Sequence, residues 1–280
     1  MSMKINFNEG KKSRETIQLI ILQILSDRGY TNDITFHGGT CEHFCYKNPR
    51  YSEDLDFVTT KNVNFNAISQ TLQEELPKYI SNKIKVVGQE RDYSDNIVKK
   101  IKVRVFPDDP NKRKIEVIVE FATDIPNYTR VFANIKGGEF DFSLNAEAME
   151  EILADKVVAF GSRAIWKSTP FKARDLWDIY WLIQNNIKLD PSMVVKKIKN
   201  YKESYTNFLE IFEKRLETLH DEKSIDAFQN GMLSYVDGRE EELVKDKDFV
   251  KNLLSTIYPF LSDALHKVEE NARYAEEPER

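Results

Sequence analysis

The stretch Phe36 to Phe57, FHGGTCEHFCYKNPRYSEDLDF, constrains this chain more than any other. Ile34, Thr35 and Phe36 read as a short buried strand, and Gly38-Gly39 then lets the backbone turn sharply with no Cβ in the way. A helix is expected to begin near Thr40, with Thr40 as its cap. Its first N–H groups and positive dipole end then face whatever sits over the glycines, and a phosphate fits there.

A few residues on, Ser52-Glu53-Asp54-Leu55-Asp56-Phe57 alternates acidic and apolar side chains. In a strand this puts Asp54 and Asp56 on one face while Leu55 and Phe57 pack inward. Two carboxylates on one face repel, a cost tolerated when a divalent cation sits between them. Mg²⁺ typically takes one or two protein carboxylates plus substrate phosphates. A glycine turn alone, or an Asp-x-Asp alone, is common on turns and wet strand ends. In succession they make a phosphate loop beside a metal seat, the arrangement of phosphoryl or nucleotidyl transfer.

At 280 residues the chain is long enough for two packed units, and 31% charged with 41% hydrophobic residues describes a globular protein. No apolar run approaches a bilayer span and the N-terminus lacks the apolar core of a secretory signal, so a cytoplasmic protein is expected. Cys41 and Cys45 fall on one face of the expected helix, near His37 and His43. Two free thiols in a reducing compartment are a simpler reading than a zinc site, which usually shows two separated ligand pairs. A net charge of -5 does not advertise nucleic-acid binding, although local patches can still support it.

Elsewhere, Ser13 to Asp27 reads as a buried helix capped by Ser13, and Phe65 to Leu76 as an amphipathic helix ended by Pro77. Ile84–Val87, Ile97–Phe106 and Arg113–Phe121 read as strands, the last two joined across Pro107-Asp108-Asp109-Pro110-Asn111. In the third, Glu116 and Glu120 share one face. A helix is expected over Asn145 to Phe160 with Asp155 and Lys156 outward. Another starts at Lys172, with Arg174, Asp175 and Asp178 close behind, a charge run of the kind usually found on a solvated face. Beyond Asp190-Pro191 the pattern is helical throughout. There Lys196, Lys197, Lys199 and Lys202 interleave with Tyr201 and Tyr205, residue types able to hold phosphate and stack bases, though an ordinary amphipathic helix explains them equally well.

Four pieces in order, Gly38-Gly39-Thr40, the Arg50 to Asp56 run, a helix carrying Lys156, and Lys172-Ala-Arg-Asp-Leu-Trp-Asp178, resemble the AbiEii/AbiGii toxins over about residues 12–190. These are nucleotidyltransferases of the polymerase-β-like superfamily. The resemblance implies an α+β fold: a mixed sheet flanked by helices as the core (residues 1–140), then a mostly helical domain (141–280) contributing Lys156 and Asp175 to the site. It also implies transfer of a nucleoside monophosphate from an NTP to an RNA hydroxyl, the tRNA 3′ end in particular, by the toxin of a type IV toxin–antitoxin or abortive-infection system with a cognate antitoxin. A protein acceptor, or a non-catalytic nucleotide- or RNA-binding module, is the alternative. By the same resemblance Asp54, Asp56, Lys156 and Asp175 are catalytic, and Gly38, Gly39, Thr40, Arg50, Ser52 and Lys156 bind the nucleotide. Asp54, Asp56 and Glu116, chosen over Glu120 on the resemblance, hold Mg²⁺ or Mn²⁺. His37, Lys172, Arg174 and Asp178 are further candidates. His37 stands where relatives often have Lys directly before the glycines, so a fixed charge becomes one that depends on pH.

Overall fold

The structure, a computed structural model, describes residues 2–93, 96–163 and 171–276. It divides into two compact units, Met1–Lys47 with Tyr51–Glu147, and Asn48–Arg50 with Ala148–Arg280.

The first unit runs α1 (Gly10–Asp27), a short 3-10 turn (Tyr30–Asn32), β1 (Thr35–His37), α2 (Gly38–Tyr46), β2 (Leu55–Thr59), α3 (Phe65–Tyr79), β3 (Ile84–Tyr93), β4 (Asn96–Val105), β5 (Ile115–Thr123), β6 (Arg130–Gly137) and β7 (Phe140–Glu147). Its seven strands form one mixed sheet in the order β3-β4-β5-β2-β1-β7-β6. β2 lies parallel to β5 and β1 parallel to β7, while the remaining pairs are antiparallel. Register lines up Phe36, Phe57 and Phe121 across β1, β2 and β5, with ring centroids 5.3 Å apart at each step. All three rings are buried, and Phe65 at the start of α3 meets Phe121 edge-on at 4.8 Å. Burial of aromatic surface on this scale helps hold the sheet together, each ring being worth about 3–5 kcal/mol against truncation to Ala.

Several local expectations are corrected. Ser13 lies inside α1 rather than at its start; its hydroxyl donates to the Asn6 carbonyl, and the chain enters α1 at Glu9. Pro77 does not end α3. The helix runs two residues further, to Tyr79, and Ile80 N still donates to the Leu76 carbonyl at 2.9 Å. Pro77 forfeits only its own missing N–H bond while Leu72 and Leu76 hold the helix to the core. The helix expected from Asn145 starts at Met149, because Asn145 belongs to β7. The β6–β7 hairpin escaped the sequence reading. Its turn is Gly138-Glu139, with Gly138 at φ +57°, and its alternation of Ile135, Phe142, Leu144 and Ala146 with polar residues is the sheet period.

The second unit is helical: α4 (Met149–Ser162), α5 (Ala173–Gln184), α6 (Pro191–Asn200), α7 (Tyr205–Thr218), α8 (Glu222–Met232), α9 (Gly238–Lys245) and α10 (Lys247–Glu276). Its α4–α7 contact is close enough to require glycine. A Cβ at Gly161 would stand 2.2 Å from the Phe208 ring, which packs in turn on Phe212 at 5.5 Å, and Phe212 meets Phe160 edge-on at 4.9 Å. Among the described residues no helix is long and apolar enough to cross a membrane.

Candidate active site

The row of the sheet next to the three phenylalanines is polar. Register sets Lys100, Glu120, Asp56 and His37 side by side on β4, β5, β2 and β1, and the Phe36–Ala146 pairing carries the same row on to Glu147 and Arg130 on β7 and β6. With a two-residue period, an apolar row on one face dictates that its neighbour lies on the other. Asp56 is half-buried between buried Leu55 and Phe57, as the alternation of the sequence requires. Asp54 precedes the strand and is also half-buried.

The glycine turn is built against Asp56. Gly38 has φ +76°, a left-handed conformation that suits glycine, and a Cβ there would come within 2.9 Å of Asp56 Oδ2. α2 begins at Gly38, two residues earlier than expected, so His37 rather than Thr40 occupies the cap position. Thr40 is fully buried and its hydroxyl donates to the Asp54 carbonyl. Gln18, buried on α1, donates to the two preceding carbonyls, Ser52 O at 3.1 Å and Glu53 O at 3.0 Å. Three consecutive carbonyls are thus fixed by neutral donors just before the Asp-x-Asp pair. Sequence reading missed Gln18; its one signal was an amide amid the apolar residues of α1.

Around this core, His37 Nδ1 lies 3.8 Å from Glu147 Oε2, an ion pair only when the imidazole is protonated. Glu147 is fully buried, its backbone carbonyl accepting from the Tyr46 hydroxyl at 2.6 Å. Glu120 is the strand neighbour of Asp56 and is bonded by Lys100. Glu116 sits four positions earlier, bonded to Arg104 Nε at 2.5 Å and 3.8 Å from Lys114. The Arg104 hydrogen bond holds its carboxyl below the usual range, against the opposing pull of partial burial. Cys41 is buried, which pushes its thiol well up, with the Cys45 contact adding to the shift. A thiol so held is a poor metal ligand.

The second unit has its own charged cluster, and the outward, solvated reading of its residues does not hold. Asp178 is fully buried and takes Arg50 Nε on Oδ1 and Arg50 Nη2 on Oδ2, both at 2.5 Å. Lys156, buried on α4 rather than outward, reaches Asp178 Oδ2 at 2.6 Å. Asn48 Nδ2 donates to Asp178 Oδ1 at 3.1 Å, and Asn48 Oδ1 accepts from Trp177 Nε1 at 3.1 Å. Burial alone would raise the Asp178 carboxyl, but the two cations outweigh it and lower the pKa from 3.8 to about 2. Asp175, also buried, pairs with Arg163 Nη1 at 2.8 Å. Arg215 donates to the Phe160 and Arg163 carbonyls, and burial lowers its pKa to about 10. Lys172 is exposed, and Arg174 stacks on Tyr235 at 4.5 Å. In the Lys/Tyr tract Lys196, Lys199 and Lys202 are exposed, while Lys197 and the two tyrosines turn inward. Lys197 is fully buried against Glu151 at 2.6 Å and Asp155 at 3.1 Å, Tyr201 donates to Asp155, and Tyr205 donates to the Val268 carbonyl.

The fold, a mixed sheet with strand order 3-4-5-2-1-7-6 flanked by helices, is that of a nucleotidyltransferase, and its left-handed glycine turn is pressed against a strand carboxylate. The chain matches over residues 20–251 the family described as nucleotidyl transferase AbiEii toxin, type IV TA system, and it belongs to that family. Among solved structures it is similar to JHP933 from Helicobacter pylori, at TM-score 0.55 and 17% identity over 95% of this chain and 98% of that one. It is also similar to a second H. pylori protein, provisionally assigned as a nucleotidyltransferase, at TM-score 0.52 and 17% identity over 93% and 96%. At this identity the two show a shared fold, a mixed sheet with flanking helices. No curated protein matches the sequence. Membership of a type IV toxin–antitoxin family implies an NTP substrate and a cognate antitoxin.

Proposed function

We propose that this toxin nucleotidyltransferase moves a nucleoside monophosphate from an NTP to an RNA hydroxyl, the 3′ end of tRNA, and that it does so with Mg²⁺ or Mn²⁺. The observation that carries the reading is Gly38: its left-handed backbone leaves room for nothing larger than hydrogen beside Asp56 Oδ2, so the phosphate loop and the acidic strand form one unit. Asp54 and Asp56 offer hard carboxylate oxygens, which fit a divalent cation of this class, and the register favours Glu120 over Glu116 as a third carboxylate. Such an ion neutralises charge on the phosphoryl oxygens and on the attacking and leaving oxygens.

The protein's own groups do the rest by positioning. Backbone N–H groups of Gly39 and Thr40, in the first turn of α2, receive phosphate oxygens. Gln18 and Thr40 hold the backbone that carries Asp54, so the carboxylates need no reorganisation when charge develops. Lys156 is paired with buried Asp178 inside the helical unit. Arg50, bidentate on Asp178, fixes that cluster rather than touching nucleotide, and Ser52 acts through its backbone. His37, opposite buried Glu147, supplies a pH-dependent charge beside the loop.

The test is incubation of the protein and of Asp56→Ala with each α-labelled NTP and Mg²⁺, with total RNA and cell protein as acceptors. Label in small RNA, absent from the variant, supports the reading. Label in protein, dependent on Asp56, would replace RNA by a protein hydroxyl as the acceptor.

A further inference from the structure

Transfer to RNA requires a surface for the acceptor, and the Lys/Tyr tract that composition suggested has both tyrosines and Lys197 engaged within its own unit. The strand farthest along the sheet has a different character. Four large hydrophobic residues are exposed among those described, and three of them cluster at edge strand β6, Val131 and Phe132 within its start and Tyr128 two residues before it. Phe132 is 74% exposed. Arg130, Phe132, Asn134 and Lys136 alternate along β6, so they share a face, opposite to that of buried Ile135. Arg130 belongs to the same register row as Asp56 and His37, so this face is continuous with the one that carries the catalytic carboxylate. From β2 to β6 is three strand spacings, roughly 14 Å.

We propose that this face of β6 is the docking strip for a single-stranded segment of the acceptor RNA, a few nucleotides back from the reacting end. The proposal rests on the RNA reading above. An exposed aromatic ring between two cations on one strand face is suited to a stacked base flanked by phosphates. Lys136 pairs with solvent-exposed Asp141 at 3.7 Å, a pairing readily exchanged for a phosphate. A duplex offers no free base face to Phe132, so the strip selects single strands. Exposed β-edges also invite a second copy of the chain, and the cations flanking Phe132 argue for the polyanion instead.

Binding of deacylated tRNA to the full chain, without NTP, tests this. Phe132→Ala is expected to weaken binding about tenfold or more, and Phe132→Trp to retain it. The double variant Arg130→Gln/Lys136→Gln is expected to make the slope of log affinity against log salt shallower by about 1.4, two phosphates' worth for a single strand. NTP affinity without RNA stays unchanged in all three. Wild-type affinity and salt slope in the Ala and double-Gln variants would overturn the strip while leaving RNA as acceptor. If the wild type neither binds nor labels RNA, the acceptor reading itself fails, and the strip with it. A wild type that sediments as a dimer and becomes a monomer in Phe132→Ala, with tRNA binding intact, would assign the edge to a second copy and overturn the proposal.

Discussion

Asp56 on β2 and Asp178 on α5 are the same residue type put to opposite use. Asp178 is sealed in the helical unit, with both oxygens taken by Arg50, Lys156 and Asn48. There the carboxylate is the anchor, and the backbone around it follows. At Asp54 and Asp56 the anchoring is done on the backbone, by Gln18 and Thr40 at carbonyls 52–54, and the carboxylates keep partial access to solvent. A charge placed to hold a fold is buried and neutralised. One proposed for chemistry keeps partial access to solvent on a backbone fixed by its neighbours, at some cost in stability.

The comparison breaks most sharply at Asp56. Asp56→Ala is expected to lower nucleotidyl transfer by on the order of a thousandfold or more, while its thermal midpoint equals or exceeds that of the wild type because a carboxylate repulsion is relieved. Asp178→Ala is expected to do the reverse in kind. It strands two buried cations, and a loss of about 3–5 kcal/mol in denaturant unfolding follows. An Asp56→Ala protein that unfolds, or an Asp178→Ala protein as stable as the parent, would erase the distinction.

Acid sharpens it. The folded-state pKa of Asp178, about 2, lies below its ordinary 3.8, so its contribution is complete above about pH 4 and disappears as pH falls through 2. The shift corresponds to about 2 kcal/mol. The stability gap between wild type and Asp178→Asn is therefore expected to be flat above pH 5 and to close between 4 and 2, as read by unfolding at a series of pH values. A gap that widens on acidification would contradict the cation-paired carboxylate.

The glycine turn and the acidic strand were legible in the sequence because both rest on short-range rules: glycine where φ is positive, and apolar residues at every second position. Ser13, Thr40 and Pro77 defeated the same rules locally. Ser13 and Thr40 are good caps in isolation, but each hydroxyl found a carbonyl elsewhere in the first unit, and tertiary packing of Leu72 and Leu76 carried α3 past its proline. The β6–β7 hairpin was missed because its first strand is an edge with only Ile135 buried, so half of its hydrophobic signal is absent. The charge run of α5 was unreadable for another reason. Charges at helical spacing look alike whether solvated or buried, and the partner that buries Asp178 lies 128 residues away, at Arg50.

The finest probe of the contrast is Thr40, whose hydroxyl can serve substrate or scaffold but not both. Fully buried and donating to the Asp54 carbonyl, it belongs to the scaffold in this structure. Thr40→Val keeps the volume and leaves that carbonyl without its donor, a cost of about 1–3 kcal/mol in stability. If the hydroxyl acts by fixing Asp54, kcat falls severalfold while KM for the NTP barely moves, and Thr40→Ser restores both rate and stability. If it contacts the triphosphate, KM rises and the unfolding midpoint stays near that of the parent. Steady-state kinetics of the two variants, with the NTP varied at saturating acceptor, separates the outcomes. A rise in KM alone would move Thr40 from the group that holds the carboxylates to the group that holds the nucleotide.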